Sequence, residues 1–477
     1  MNLANPVRGF VDKFKGPILI AAWVTLLVSE NFSRIFSGPG LWFGAILTIL
    51  ACLGLYAWLE RHTRRPHLVF LVLVFLIAGY ILVAKSEGAS VFTWMNIYRV
   101  EDIKGFSGLL HFFKNLRIPI PPVLGVLEYG AYVLSGSTRL VTRYGYQLAI
   151  LASFLVCILF ARRSVLKMYL VTGVGLFLVL CIRTVHADNP QIYDIFFPLF
   201  VMGYIFCLED GTAALARLPN RAGSKAWLAA AGLCLSLADL SRPFFIAILV
   251  AVVALTALRL KHLSARSFVW FMLPILILSL SWHAYQWGAF RQFTWSNNSG
   301  FSLWRVWQLA PDMPLPDLET QLIMEIHHQP VADGRWDNLN TAEHSQNSRM
   351  LTAMVLHMIA QAPFKAVHFM GTRVVTFLFM PTVDLYNAST SKQDFLILYK
   401  LLVICLSANL VYAMIRYVTQ AATTSPAGWP PIFTSPRFQL VLITFLCALI
   451  FSLSEAGEES RFMISLLPMM LACGFAL

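Results

Sequence analysis

Apolar runs of roughly 14 to 21 residues, each with few or no charges, recur along almost the whole of this sequence, and they fix the solvent in which it folds. At a rise of about 1.5 Å per residue, most of these runs are long enough to cross a hydrocarbon core of about 30 Å as a helix. In lipid the backbone must satisfy its own hydrogen bonds, so only helices or closed barrels span. The runs are continuous and do not alternate, which excludes a barrel. A water-soluble fold is excluded too, because 58% of the 477 residues are hydrophobic and only 13% are charged.

Spans are expected near 17–30, 40–58, 68–84, 146–161, 167–182, 192–208, 226–241, 243–259, 267–285, 396–416, 437–453 and 462–477. The fold class is therefore an all-α polytopic membrane protein, one integral domain over 1–477 with about 12 helices (roughly 11 to 13). The stretch Val367 to Pro381 is too short and interrupted for a plain span, and is expected to lie in the interface or re-enter the membrane. The first apolar run carries no small-residue cleavage pattern and is expected to be an uncleaved anchor.

Basic residues set the orientation. Arg8/Lys13/Lys15, Arg61/Arg64/Arg65, Arg162/Arg163/Lys167, Arg217/Arg221/Lys225 and Arg259/Lys261/Arg266 fall at the N-terminus and then on every second connection. That alternation is self-consistent with an inside N-terminus. It also accounts for most of the net charge of +12, so nucleic acid is not an expected partner. The eight cysteines lie within the expected spans, where they pack as small apolar groups, and show no disulfide or zinc spacing. His327-His328 has no third ligand at a convincing spacing, so no metal site is assigned.

By the same parity two long connections lie outside, 85–145 and 286–395, and function is sought there. The first holds Tyr98-Arg99-Val100-Glu101-Asp102, and then an amphipathic piece from Phe106 to Leu116, expected to lie along the membrane surface with Lys114 and Arg117 near headgroups. Prolines at 119, 121 and 122 end that helix. The second is rich in tryptophan, which interfacial aromatic belts alone would explain in large part, and returns as a helix from Ser348 to Ala362.

Taken together, an acidic pair in the first outer loop, a Pro-Pro segment about 20 residues later leading into Val123 to Tyr132, and Ser135-Gly136-Ser137-Thr138-Arg139 resemble the GT-C superfamily of polyprenyl-phosphate-sugar glycosyltransferases. The likeness is to its protein mannosyltransferase and lipid A aminoarabinose transferase type. The family's His-Pro-Pro-Leu segment stands here as Ile120-Pro121-Pro122-Val123, so its histidine is absent. Asp188-Asn189-Pro190 resembles the second acidic position, Ser241-Arg242-Pro243 the basic residue between two helices, and Glu458-Glu459-Ser460-Arg461-Phe462 with Pro468 the late acidic and basic pattern. Each motif is short, but their order covers most of the chain.

The resemblance implies transfer of a sugar from a polyprenyl-phosphate donor to an envelope acceptor, whether lipid, polysaccharide or protein, at the outer face of a bacterial inner (plasma) membrane. Such transfer needs a base at the acceptor and positive charge at the departing phosphate. Asp102 is the first choice for the base and Glu101 the alternative. Asp188 orients the acceptor, or caps a helix ahead of Pro190. Arg242 holds the donor phosphate, or snorkels to the interface. Arg461 is a second phosphate ligand, or pairs locally with Glu458, and Arg117 is a third among the basic residues of the first loop, which headgroup contact also explains. No cofactor is assigned, and the resemblance leaves divalent-metal dependence open. Two rivals stand beside it: a transporter or flippase of lipid-linked glycans, and an enzyme of the O-antigen polymerase or ligase type. Transporters place ionisable groups near the midplane, whereas here they gather at span ends and in outer loops.

Overall fold

The computed structural model describes residues 122–136, 196–217, 222–242, 245–261, 265–291, 299–311, 342–379, 393–424, 431–454 and 459–475, with isolated positions elsewhere. Every element among them is helical. The first five expected spans, isolated positions aside, lie outside the described residues, as does the first long loop as far as Pro121. The other expected spans all fall on helices.

These are α1 (Pro122–Ser135), α2 (Phe196–Arg217), α3 (Ala222–Asp239), α4 (Phe245–Lys261) and α5, which runs as Ala265–Pro274, a π-helical turn Ile275–Leu280, and Ser281–Phe290. Then come α6 (Ser299–Trp307), α7 (Ala342–Gln361), α8 (Pro363–Phe379), α9 (Gln393–Thr424), a 3₁₀ turn Pro431–Thr434, α10 (Pro436–Ser454) and α11 (Glu459–Phe475). Four helices are long and apolar enough to cross a membrane: Phe196–Arg217, Arg266–Gly288, Tyr399–Ala421 and Pro436–Leu453. Counting the bent pair Gln346–Gln361 and Pro363–Phe379 makes five. Phe245–Leu260 and Ser465–Gly474 are apolar but shorter.

One core runs through α2, α3, α4, α5, α9, α10 and α11, filled by residues such as Phe197, Leu235, Phe271, Val403, Ile443 and Met470. Cys157, from the fourth expected span, joins it, its Sγ 3.0 Å from the Pro468 carbonyl and 3.5 Å from Met202 Sδ. This cysteine packs as a small apolar residue, as its sequence setting implies. α1 starts on Pro122, whose missing N–H is no loss in a first turn, and stops at Gly136, which takes φ +69° where a Cβ would strain the chain.

α3 and α5 make the closest approach. A Cβ built on Gly232 would lie 2.0 Å from the Phe271 carbonyl oxygen, so only glycine fits that crossing. Gly232, Ser236 and Asp239 recur at helical spacing, a stripe of small or short side chains facing α5, and all are buried. On α5, Pro274 supplies no N–H, and the ladder continues in π form, with the Ser281 N–H reaching back five residues to the Leu276 carbonyl.

The second long loop is built differently from expectation. α6, α7 and α8 enclose a core of their own around Phe301, Trp304, Trp307, Leu351, Val355 and Phe369. Trp304 and Trp307 are therefore packed inside, with the Trp307 and Phe369 ring centroids 5.3 Å apart, and do not belong to an interfacial belt. The Gly300 N–H donates to Ser348 Oγ at 2.9 Å, locking α6 to α7. α7 and α8 meet at 111° because Pro363 cannot continue the ladder of α7. The stretch from Val367 thus belongs to α8, which begins earlier than the sequence indicates and buries Ala366, Phe369, Phe377 and Leu378.

Gly232→Val is expected to lower stability by about 1–3 kcal/mol through overpacking, read as the thermal unfolding midpoint in detergent. Gly288→Ala, on α5 where nothing lies within 4 Å of the new Cβ, is expected to be neutral or stabilising by up to about 1 kcal/mol.

Candidate functional site

The polar groups buried in the bundle gather at its two ends. At one end Tyr204, Thr256 and Gln439 bring α2, α4 and α10 together: the Tyr204 hydroxyl lies 2.7 Å from Thr256 Oγ1 and donates to Gln439 Oε1. Gln439 Nε2 is 3.4 Å from the Thr434 carbonyl. Nearby, on the same two helices, Arg437 Nη2 meets Glu209 Oε1 at 3.2 Å, partly open to solvent. Sequence parity puts this end inside.

The opposite end holds the only site residue of the sequence reading whose side chain is described. Arg242 sits in the turn between α3 and α4, 8% exposed. Its N–H donates to the Asp239 carbonyl at 3.2 Å, and its carbonyl accepts from the Phe245 N–H at 3.1 Å. Its guanidinium carbon is 5.6 Å from the Phe451 ring centroid on α10, a cation–π distance. An arginine that merely snorkelled would be more open than this. One residue beyond Phe451, the Ser452 carbonyl accepts from Arg373 Nε at 3.2 Å, which joins α8 to the same end of α10. α11 starts there as well, with Arg461 in its first turn, although the Arg461 side chain is outside the described residues. Glu101, Asp102, Arg117, Asp188 and the pair His327-His328 lie wholly outside them.

A cluster that the sequence reading does not single out lies just below Arg242. Asp239, on the last turn of α3, accepts at Oδ2 from Ser279 Oγ at 2.5 Å and from His283 Nε2 at 2.8 Å. Asp239 and His283 are both 0% exposed. Ser279 and His283 are four residues apart and so project from one face of α5. The π turn inserts one residue ahead of them, which rotates that face by about 100° relative to an unbroken α-helix. The carboxylate is the hub and Ser279 does not bond to His283, so the trio lacks the nucleophile–base link of a hydrolase triad. Two metal-type ligands meet here. Among the described residues no group of three or more His, Cys, Asp or Glu comes together.

The signal for this cluster was visible. Asp239 is an acid inside the apolar run around Leu233-Cys234-Leu235-Ser236-Leu237-Ala238, and His283 interrupts another. An ionisable residue within a span is by default a functional candidate with a partner. The pairing itself depends on the π register and is not visible in sequence.

The described fold and site define an all-helical chain with four or five helices able to cross a bilayer, the architecture of an integral membrane protein. No family model matches the chain, and neither a curated protein nor a solved structure matches it.

His283→Ala leaves a buried carboxylate short of a partner and is expected to destabilise by about 1–3 kcal/mol. Glu209→Ala breaks a partly solvated pair and is expected to cost no more than about 1 kcal/mol. Heat unfolding of both variants in the same detergent checks the difference.

Proposed function

We propose that this protein is a membrane glycosyltransferase that takes a sugar from a polyprenyl-phosphate carrier and transfers it to an envelope acceptor at the outer face of the membrane. The observation that carries this reading is Arg242. A guanidinium held at the end of a helical bundle, largely shielded from water and fixed by its own backbone, is suited to binding a phosphate monoanion or dianion. Sequence parity puts that end outside, beneath the helices of the second long loop. Arg461 and Arg117 would share the phosphate charge as it develops on the leaving group.

The acceptor side of the chemistry falls to carboxylates. Asp102, with Glu101 as its neighbour and alternative, takes the proton from the acceptor hydroxyl or amine, and Asp188 orients the acceptor. The new bond joins the acceptor oxygen or nitrogen to the anomeric carbon of the sugar. The bond that breaks is the one from that carbon to the phosphate oxygen, and its electron pair leaves with the carrier phosphate. No nucleotide site is needed, since the donor arrives already activated on its lipid.

One observation favours the rival transporter reading. The Asp239–His283 pair is ionisable, buried, and set on a helix with Pro274 and a π turn, features found where transporters bind ions within the membrane. It lies near the Arg242 end of the bundle and not at mid-height, which fits a site opening to one face.

Radiolabelled sugar on a panel of polyprenyl phosphates distinguishes the two. Purified protein in proteoliposomes is expected to transfer label into lipid or polymer, and Asp102→Asn is expected to lower the rate by roughly 100- to 10,000-fold while the protein stays folded. Label that crosses the bilayer without leaving its carrier would establish transport in its place.

A further inference from the structure

A buried carboxylate hub is an expensive way to hold two helices together, because a buried pair is often no more stable than well-packed apolar residues in its place. What such a hub supplies is a single register, since its hydrogen bonds form in one arrangement only. The register it fixes here is that of Arg242. From Asp239 onward the chain is bonded turn by turn: Leu240 N–H to the Ser236 carbonyl at 2.9 Å, Ser241 N–H to Ala238 at 3.1 Å, Arg242 N–H to Asp239 at 3.2 Å, and Phe245 N–H to Arg242 at 3.1 Å. Ser241 Oγ adds a bond to the Leu237 carbonyl at 2.6 Å. No free joint separates the Asp239 backbone from that of Arg242.

The Asp239 side chain in turn is tied to α5 through Ser279 and His283, two of its nearest polar groups, while the Arg242 guanidinium lies over Phe451 of α10. Three helices therefore meet at one short turn. Gly232 brings α3 against α5 two turns earlier, so the spacing of the seam is fixed at one end by close contact and at the other by the carboxylate. Sliding or rotating α3 on α5 would break both bonds to Asp239 and carry Arg242 with it.

We propose that Asp239, acting through Ser279 and His283, is a positioning residue that holds Arg242 where it discriminates a lipid carrying a phosphate from the same lipid without one. The inference rests on the assignment of Arg242 as a phosphate ligand, and goes beyond it in giving Asp239, Ser279 and His283 a share in ligand choice. None of the three touches the ligand; they act on the geometry of the residue that does. Losing the hub weakens phosphate recognition selectively, because the apolar lipid tail is held elsewhere.

The test compares binding of a long-chain polyprenyl monophosphate with that of the matching uncharged polyprenol, using the full chain in lipid nanodiscs below the unfolding transition of every variant. Wild type is expected to prefer the phosphate, and Arg242→Ala to lose that preference. Asp239→Asn is expected to reduce the preference about tenfold with polyprenol binding unchanged. His283→Leu is expected to act like Asp239→Asn, whereas His283→Gln, which keeps an N–H donor, retains most of the preference; this pair carries the comparison if Asp239→Asn does not fold. If Arg242→Ala abolishes the preference while Asp239→Asn and His283→Leu leave it intact, the positioning role is overturned and the Arg242 assignment stands. If a hub variant weakens phosphate and polyprenol equally, its role is structural only and the inference is again overturned. If wild type shows no preference at all, the Arg242 assignment fails and the inference with it.

Discussion

In a hydrocarbon environment a polar side chain must bring its own partners, and the bundle is arranged around where that has been done. The seam between α3 and α5 is the clearest instance. Its small residues allow the two backbones to touch at Gly232 and Phe271, and contact that close leaves no room for water. A carboxylate placed further along the same stripe must therefore be satisfied from α5 itself. Ser279 and His283 do this, and the π turn after Pro274 is what aims them. Crossing, distortion and polar hub are parts of one arrangement, since a regular α5 would face a different pair of side chains toward Asp239.

The opposite end is held by different means. Tyr204, Thr256 and Gln439 are uncharged and link three helices by hydrogen bonds, while the ions Glu209 and Arg437 keep partial contact with solvent. Neutral groups cost less to bury than charges, so this end can be closed tightly without a buried ion pair. The contrast gives the bundle a polarity of its own: buried titratable groups toward the Arg242 end, and buried neutral groups with solvated ions toward the Arg437 end.

Much of this was legible in the sequence. Period and length of the apolar runs gave the helices from Phe196 onward to within a few residues, because in lipid nothing but a helix can use such a run. Arg242 stood out as a cation between two apolar segments, and its setting is the expected one at a helix turn. The second long loop was harder. Its tryptophans carry the same composition whether they line an interface or fill a core, and only the folding of α6 against α7 and α8 puts Trp304 and Trp307 inside. Long-range packing of that kind leaves no local pattern. The Asp239 cluster was legible as two isolated ionisable residues but not as a pair, because a π turn shifts the register of everything beyond it and has no reliable sequence mark.

The distribution of buried charge also bears on mechanism. An enzyme acting on a lipid-linked donor needs its charged groups at one membrane face, where phosphate and acceptor meet, and it needs the other face closed. A carrier needs a site that is reached alternately from both faces, and elements that let the two ends open in turn. Here Arg242, the Arg373 bond to α10 and the start of α11 share one end, and α6 to α8 pack upon it as a unit with their own core. The other end is pinned by a hydrogen-bonded trio that spans α2, α4 and α10. Opening that end would break all of its bonds in apolar surroundings, each at the full desolvation cost of the group exposed. A bundle fixed at one end and furnished with cations at the other is better matched to chemistry at a single face than to alternating access.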